Sequence, residues 1–329
     1  MKQKLIILLS CFVLLTAFSS DLVEFVYPDY FPKPTYNFAE NPLSESKIQL
    51  GRALFYDPIL SKDSTISCAS CHSPYNAFAH TDHDLSHGIN DSIGTRNAPA
   101  LFNLAWGKSF MWDGAIHQLD VQALAPISHP GEMGEDIENL VIKLQNSQEY
   151  PSLFEAAFGS KNITGEYLLK ALSQFQLTLV SANSKYDSVQ RKESSYTVQE
   201  SKGYELYKSN CSNCHTEPLF TNNNFERNGL GIDTTLIDFG RMMITNNEVD
   251  SAFFKVPSLR NLSYTYPYMH DGRYRKLKDV LNHYTSNPNL SRNKAIDLSS
   301  NEKADLIAFL LTLNDREFVF NPKHQFLRE

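Results

Sequence analysis

The chain has 329 residues, 42% of them hydrophobic and 20% charged, with 14 glycines and 15 prolines. That is enough apolar material for one large or two ordinary domains, and it excludes disordered, collagen-like and low-complexity classes. The formal charge of −7 at pH 7 opposes any nucleic-acid role and suits a basic partner protein. The first feature in chain order is a 14-residue apolar run, Leu5 to Phe18, behind Lys2 and Lys4. It is short for a membrane span and right for the core of a secretory signal. Small residues at Ala17 and Ser19 place cleavage near Ser19 or Ser20, so residues 1–20 read as a signal peptide and the mature chain carries −9. Cys11, after Leu-Leu-Ser, weakly resembles a lipidation site, yet the apolar run continues past it. The expected destination is the periplasm, with a lipoprotein as the less favoured alternative.

Residues 21–45, aromatic and proline-rich, read as an extended lead-in packed on the surface. Beyond it lie the four remaining cysteines, in two tight pairs each followed by a histidine: CASCH, Cys68 to His72, and CSNCH, Cys211 to His215. This is the signature of c-type haem attachment. Two thiols three residues apart on one helical turn can both add to the haem vinyl groups, and the next residue brings its imidazole under the iron. Two disulfides, a zinc site of four thiolates and redox-active CxxC pairs are the competing readings. The pattern predicts two covalently bound haem c groups.

The two motifs are 143 residues apart, and a second similarity runs through the chain at an offset of 158. NAPALFNLAWGKSFMWDG from Asn97 aligns without a gap on KVPSLRNLSYTYPYMHDG from Lys255, pairing Asn103 with Asn261, Met111 with Met269 and Gly114 with Gly272. The second unit therefore has 15 more residues between its CxxCH and this segment. Apolar residues at helical spacing mark Ile137–Leu144, Tyr167–Leu179, Leu277–Tyr284 and Lys303–Leu313, and strand-like alternation is scarce. The expected fold is mainly α, with two tandem cytochrome-c-like haem domains and long loops. Their expected bounds are 46–185 and 201–329, with 186–200 as a linker rich in Ser, Lys, Gln and Tyr.

From about Leu50 to Leu313 the chain resembles the bacterial dihaem cytochrome c peroxidases and their MauG-type relatives. The markers are GRALFYDPILS, CASCH, RNAPALFN, MWDG, PGEMG, CSNCH, KVPSLRNL, YTYPYMHDG and NEKADLIAFLLTL, in that order. The resemblance implies that the first haem is the peroxide site, with His72 as proximal ligand, and that the second haem, with His215, collects electrons. Trp112 takes the position of the tryptophan between the haems. Gln122 and Glu132 take those of the distal glutamine and catalytic glutamate. Heterolysis of peroxide needs a proton moved from one oxygen to the other, which such a carboxylate can do. Without the resemblance, a glutamate in a Pro-Gly loop reads as a solvated surface residue.

The resemblance also bears on the remaining iron ligands. A sixth ligand of the second haem falls 14 residues after His270, which is Tyr284, with Met269 and His283 as alternatives. A phenolate there lowers the potential. The repeat places Pro126 at the equivalent site of the first unit. The position of a blocking loop histidine is Ile89, with His87, His83 and His80 nearby, so a permanently five-coordinate first haem is expected. Asn97, Thr265 and Pro267 match the positions that hold one calcium between the units, as oxygen donors suit that ion.

The leading function is reduction of hydrogen peroxide to water by electrons from a small donor protein, such as a c-type cytochrome. The alternatives are a MauG-type oxidase acting on another protein through long-range radical transfer, and a non-enzymatic dihaem electron carrier. Ser209 stands where the MauG enzyme has a tryptophan as radical exit. The family often forms homodimers.

Overall fold

The computed structural model describes residues 21–233, 235–287 and 296–326, so the expected signal segment, with Cys11, lies outside the described residues. The helices that carry the fold are α1 (Glu45–Tyr56), α2 (Cys68–Cys71), α3 (Ile137–Gln145), α4 (Tyr150–Phe158), α5 (Gly165–Leu177), α6 (Lys185–Gln190), α7 (Val198–Asn210), α8 (Leu277–Ser286) and α9 (Ser300–Leu311). Among the described residues the only sheet is an antiparallel ribbon of β1 (Phe225–Arg227) and β2 (Phe253–Lys255), in the segment from the second CxxCH to Lys255 where the second unit is the longer one. No helix among them is long and apolar enough to cross a membrane.

Several helix starts are set by side-chain caps. Thr164 accepts the Tyr167 N–H, and Ser184, Thr197 and Ser299 each form a reciprocal box with an acidic residue three positions on. These polar first turns carry no apolar period. That is why α5 begins two residues and α9 three residues before the periodic stretches at Tyr167 and Lys303. The whole of α7 escapes periodicity because it buries only Gly203 and Tyr207.

Each unit is built on one pair of crossing helices, α1 on α5 and α7 on α9. Both crossings pivot on a glycine. A Cβ on Gly51 would sit 1.9 Å from the Ala171 carbonyl oxygen and 3.1 Å from the Phe175 Cβ. One on Gly203 would sit 2.0 Å from the Asp305 oxygen and 2.8 Å from the Phe309 Cβ. The backbones touch there, and only hydrogen fits between them. Phe55, Phe78, Leu168 and Phe175 lead the first core; Tyr207, Phe220, Phe309 and Leu313 lead the second.

The repeat is visible in backbone geometry as well as in sequence. Asn103 and Asn261 have φ of +55° and +62°, Met111 and Met269 +66° and +76°, Gly114 and Gly272 +73° and +69°. The bridges Phe110↔Ile116 and Tyr268↔Tyr274 recur at the same offset.

Two features bear on the expected bounds. The stretch 186–200, expected as a linker, is folded. It contains most of α6 and the start of α7, and α6 buries Tyr186 and Asp187, the latter in a bidentate pair with the fully buried Arg260 at 2.8 Å. The residues after α9 do not stay with the second unit. Phe318 and Val319 complete the first core, and Arg52 of α1 donates to the carbonyls of Pro322 and Gln325. Residues 21–44 contain no helix or strand, only the isolated bridge Leu22↔Ser44. Their Phe25, Tyr27 and Phe31 pack on Trp106, whose indole N–H donates to the Pro32 carbonyl at 2.7 Å.

Gly203→Ala forces the α7 and α9 backbones apart and should lower unfolding stability by about 1–3 kcal/mol. Gly231→Ala, which meets nothing within 4 Å, should stay within about 0.5 kcal/mol of the parent. Chemical denaturation of both variants checks the difference.

Candidate functional site

The two CxxCH segments adopt one geometry by different local means. Cys68 and Cys71 lie on α2, capped by Ser67; Cys211 to His215 form a turn closing α7, with the His215 N–H donating to the Cys211 carbonyl at 3.0 Å. All four thiols are free of disulfides, and among the described residues no three His, Cys, Asp or Glu side chains group as a metal site. The disulfide and four-thiolate zinc readings therefore fail. Burial pushes the Cys68 and Cys211 thiols up to about 12, the reverse of what a redox-active pair requires.

The histidine of each CxxCH is aimed by a backbone carbonyl. His72 Nδ1 is 2.9 Å from the Phe78 oxygen; His215 Nδ1 is 3.2 Å from the Phe220 oxygen and 3.0 Å from that of Pro257. A carbonyl only accepts, so Nδ1 carries the proton and Nε2 keeps its lone pair for a metal. Burial lowers both imidazoles to about 4, keeping them neutral.

Above the second pair is a cavity of about 400 Å³ bordered by Cys211, Cys214, His215, Trp112, Met269 and Tyr284. Free thiols, a neutral inward imidazole and an apolar cavity between them fit a covalently attached haem. Tyr284, on α8, is half-buried, and its phenol is pushed up first by desolvation and then by the neighbouring thiols of Cys211 and Cys214. Of the alternative ligands, Met269 borders the cavity, whereas His283 turns its Nε2 to the Asn228 carbonyl at 2.7 Å.

Around the first pair, the loop holding Ile89 seats on the PGEMG loop. Ile89 N–H donates to the Glu132 carbonyl at 2.8 Å, and a Cβ on Gly88 would lie 2.2 Å from the Gly131 oxygen. Ile89 is buried. His80, His83 and His87 form a stack of rings, the first two joined by a 3.1 Å hydrogen bond. The Cys71 sulfur is 3.5 Å from the His87 carbonyl. Glu132 is half-buried; that burial raises its carboxyl, against the opposing pull of His129, 3.9 Å away. Gln122 donates to the Met111 sulfur at 3.6 Å, one residue before Trp112. The Trp112 indole in turn donates to the Asn97 carbonyl at 2.8 Å. A connected path thus runs from Gln122 through Met111 and Trp112 to Asn97, the last three on the wall of the second cavity. Asn97, Thr265 and Pro267 border that same cavity.

Several residues here have no motif to announce them. Arg96 forks onto Asp238 at 2.6 and 2.8 Å and reaches Asp113 at 2.6 Å. Burial works against its charge, but the two carboxylates outweigh this and raise it. Lys255 and His270, on the cavity wall, were visible only as partners in the repeat. His129 offered no signal beyond its closeness to Glu132.

Comparison with known proteins agrees with this arrangement. A family model described as di-haem cytochrome c peroxidase matches residues 45–195, and one for cytochrome c matches 200–314. The chain belongs to the di-haem cytochrome c peroxidase family. It is 37% identical to the methylamine utilization protein MauG of Methylorubrum extorquens, over 88% of this chain and 83% of that protein. It is 34% identical to the cytochrome c551 peroxidase of Nitrosomonas europaea, over 84% and 82%. A solved MauG-like protein associated with microbial copper homeostasis superposes with a TM-score of 0.82 at 33% identity, covering 92% of this chain and 99% of the other. Membership carries covalently bound haem c with it, and the relatives bear both peroxidase and MauG names.

Since each unit has its own core and its own CxxCH, replacing Cys211 and Cys214 together by alanine should halve the covalent haem per chain and leave the other haem attached. The ratio of pyridine haemochrome absorbance to protein checks this.

Proposed function

We propose that this chain is a periplasmic peroxidase that reduces hydrogen peroxide to water with two electrons and two protons from outside the protein, the electrons delivered by a small donor protein. The carrying observation is the pairing of the Ile89 and Glu132 loops. In that pairing a buried aliphatic side chain, in the slot the resemblance gives to a blocking ligand, is joined through the backbone to the residue that carries a half-buried carboxylate, which supports an open first haem site. Haem, when bound, supplies the redox centre. Glu132, ionised, takes the proton from one peroxide oxygen and returns it to the other, so that water leaves. Gln122 holds peroxide through its amide, and Trp112 passes electrons between the units. Tyr284, with Met269 as the alternative, would hold the second unit's haem together with His215. Asn97, Thr265 and Pro267 would hold a calcium ion through their oxygens. The acidic chain suits a basic donor.

The oxidase reading has one observation in its favour, Tyr284 in the cavity wall. Against it, Ser209 is tied to the Glu205 carbonyl on the exposed end of α7. Two low-spin haems inert to peroxide, seen by EPR, would leave only an electron carrier.

Because burial raises the Glu132 carboxyl above its ordinary 4.5, the proton-accepting form is lost as pH falls through that raised value. Turnover should therefore decline on the acid side earlier than an ordinary carboxylate predicts. Glu132→Gln should lower kcat by roughly 10²–10⁴ and abolish that limb. Undiminished turnover with reduced cytochrome would remove Glu132 from the mechanism.

Tyr284→Phe removes an anionic oxygen donor and should raise the midpoint of the second haem at least tenfold in the ferrous to ferric ratio, ~59 mV for one electron. Met269→Leu should leave it in place. Spectroelectrochemistry of both variants decides between the two ligands.

A further inference from the structure

Two polar groups on the wall of the second cavity, the half-buried Lys255 and the buried His270, have hydrogen-bonding capacity left unmet. The Lys255 ammonium, at the end of β2, can donate three hydrogen bonds and makes one, to the Ser109 carbonyl at 3.0 Å. Among the described residues no carboxylate lies within ion-pair distance of it. Asp113, which acts on it from further away, is already held by Arg96. Burial pulls this amine down to about 8, as expected of a cation taken out of water without an anion.

The second group is His270, 5% exposed, whose Nδ1 is buried with no hydrogen-bond partner. Its ring is fixed by stacking on Phe254, the neighbour of Lys255, at 3.7 Å and 13°. The nearest carboxylate, Asp271, is 4.0 Å from Nε2 and paired with Arg273. Native proteins rarely leave such groups unmatched. Here both border the same cavity, which is otherwise largely apolar.

We propose that Lys255 and His270 form a carboxylate-binding wall that takes the propionate oxygens of the haem attached at Cys211 and Cys214. The inference rests on the family reading that a haem is attached there, and goes beyond it in naming what holds the carboxylates. The repeat makes the wall specific to one unit: at the offset of 158, Lys255 corresponds to Asn97 and His270 to Trp112. The Trp112 N–H already has its acceptor in the Asn97 carbonyl. A lysine cation on one haem and not the other stabilises that haem's ferrous state. The Lys255 backbone N–H also donates to the Trp112 carbonyl at 2.7 Å. Lys255 thus ties the Trp112 segment at two carbonyls and acts as a positioning residue as well.

Spectroelectrochemical titration of the holoprotein tests this. The second midpoint is assigned by its loss in the Cys211→Ala, Cys214→Ala protein. Lys255→Met should lower that midpoint so that the ferrous to ferric ratio at fixed potential falls at least tenfold, ~59 mV, with the first midpoint unmoved. Lys255→Arg should restore it. His270→Phe should shift it the same way, and His270→Gln should recover it. If Lys255→Met does not accumulate, Lys255→Gln, which keeps a donor for the Ser109 carbonyl, is read against the same outcomes. A second midpoint within twofold of the parent in the Lys255 and His270 variants, or Lys255→Arg behaving like Lys255→Met, overturns the wall. A parent protein without covalent haem would instead overturn the reading beneath it.

Discussion

The structure depends on two phenylalanine carbonyls. Phe78 and Phe220 have φ of +59° and +55°, a region bulky residues avoid, at a cost on the order of 1–3 kcal/mol. In that conformation each offers its oxygen to a proximal histidine while its ring stays fully buried. The rings are held by the helix crossings. Phe78 packs on Phe55 and Phe175, Phe220 on Tyr207 and Phe309. Phe175 and Phe309 are the residues that approach the crossing glycines, Gly51 and Gly203. Sequence, crossing, core and metal ligand thus form one chain of contacts, built twice. A looser crossing would free the phenylalanine, and then the imidazole.

The seam between the units is similarly concentrated. Arg96 reaches Asp113 in the first unit and Asp238 in the second, and lies over the Phe254 ring at 5.9 Å. Its neighbour Asn97 donates its backbone N–H to the His270 carbonyl at 2.7 Å and offers its own carbonyl to Trp112. Two adjacent residues therefore set the relation of Trp112 to His270, the pair that the repeat equates. A buried ion network of this kind contributes little net stability over an apolar seam, but it fixes one register between the parts it joins. Arg260 does the same for the lead-in, joined to Asp187, to which the Tyr30 hydroxyl also donates, and lying over the Phe31 ring.

What was legible from sequence was whatever carried a period or a motif. The CxxCH pairs, the helices with apolar stripes and the offset of 158 are all local patterns, and each appears where its pattern stood. α7 escaped because a helix buried along a glycine needs no apolar stripe. The segment around Asp187 read as linker because its composition is polar, yet the partner that buries it, Arg260, is 73 residues away. The return of Phe318 to the first core has no local signal either. At the site, Glu132 and Gln122 came from resemblance, and structure adds their surroundings. Lys255 and Arg96 needed three dimensions, since a lone basic residue in sequence is ordinarily a solvated one.

Duplication gives two equivalent frames, and function follows from the positions where they differ. The slot of Tyr284, which points a phenol at the second cavity, is Pro126 in the first unit, a side chain with nothing to give a metal. The Pro126 carbonyl accepts the Met133 N–H at 3.2 Å, so the proline serves the Glu132 loop. The slot of His270 is Trp112, whose N–H is already spent on Asn97. In both slots, then, the second unit places groups able to hold and tune a cofactor. The first replaces them with residues that shape a loop or fill the seam, and adds a half-buried carboxylate. A frame that must stabilise one redox state gains from fixed ligands on every side. A frame that must admit a substrate gains from leaving one side to a proton carrier, and the proposed function divides the two halves of this chain along that line.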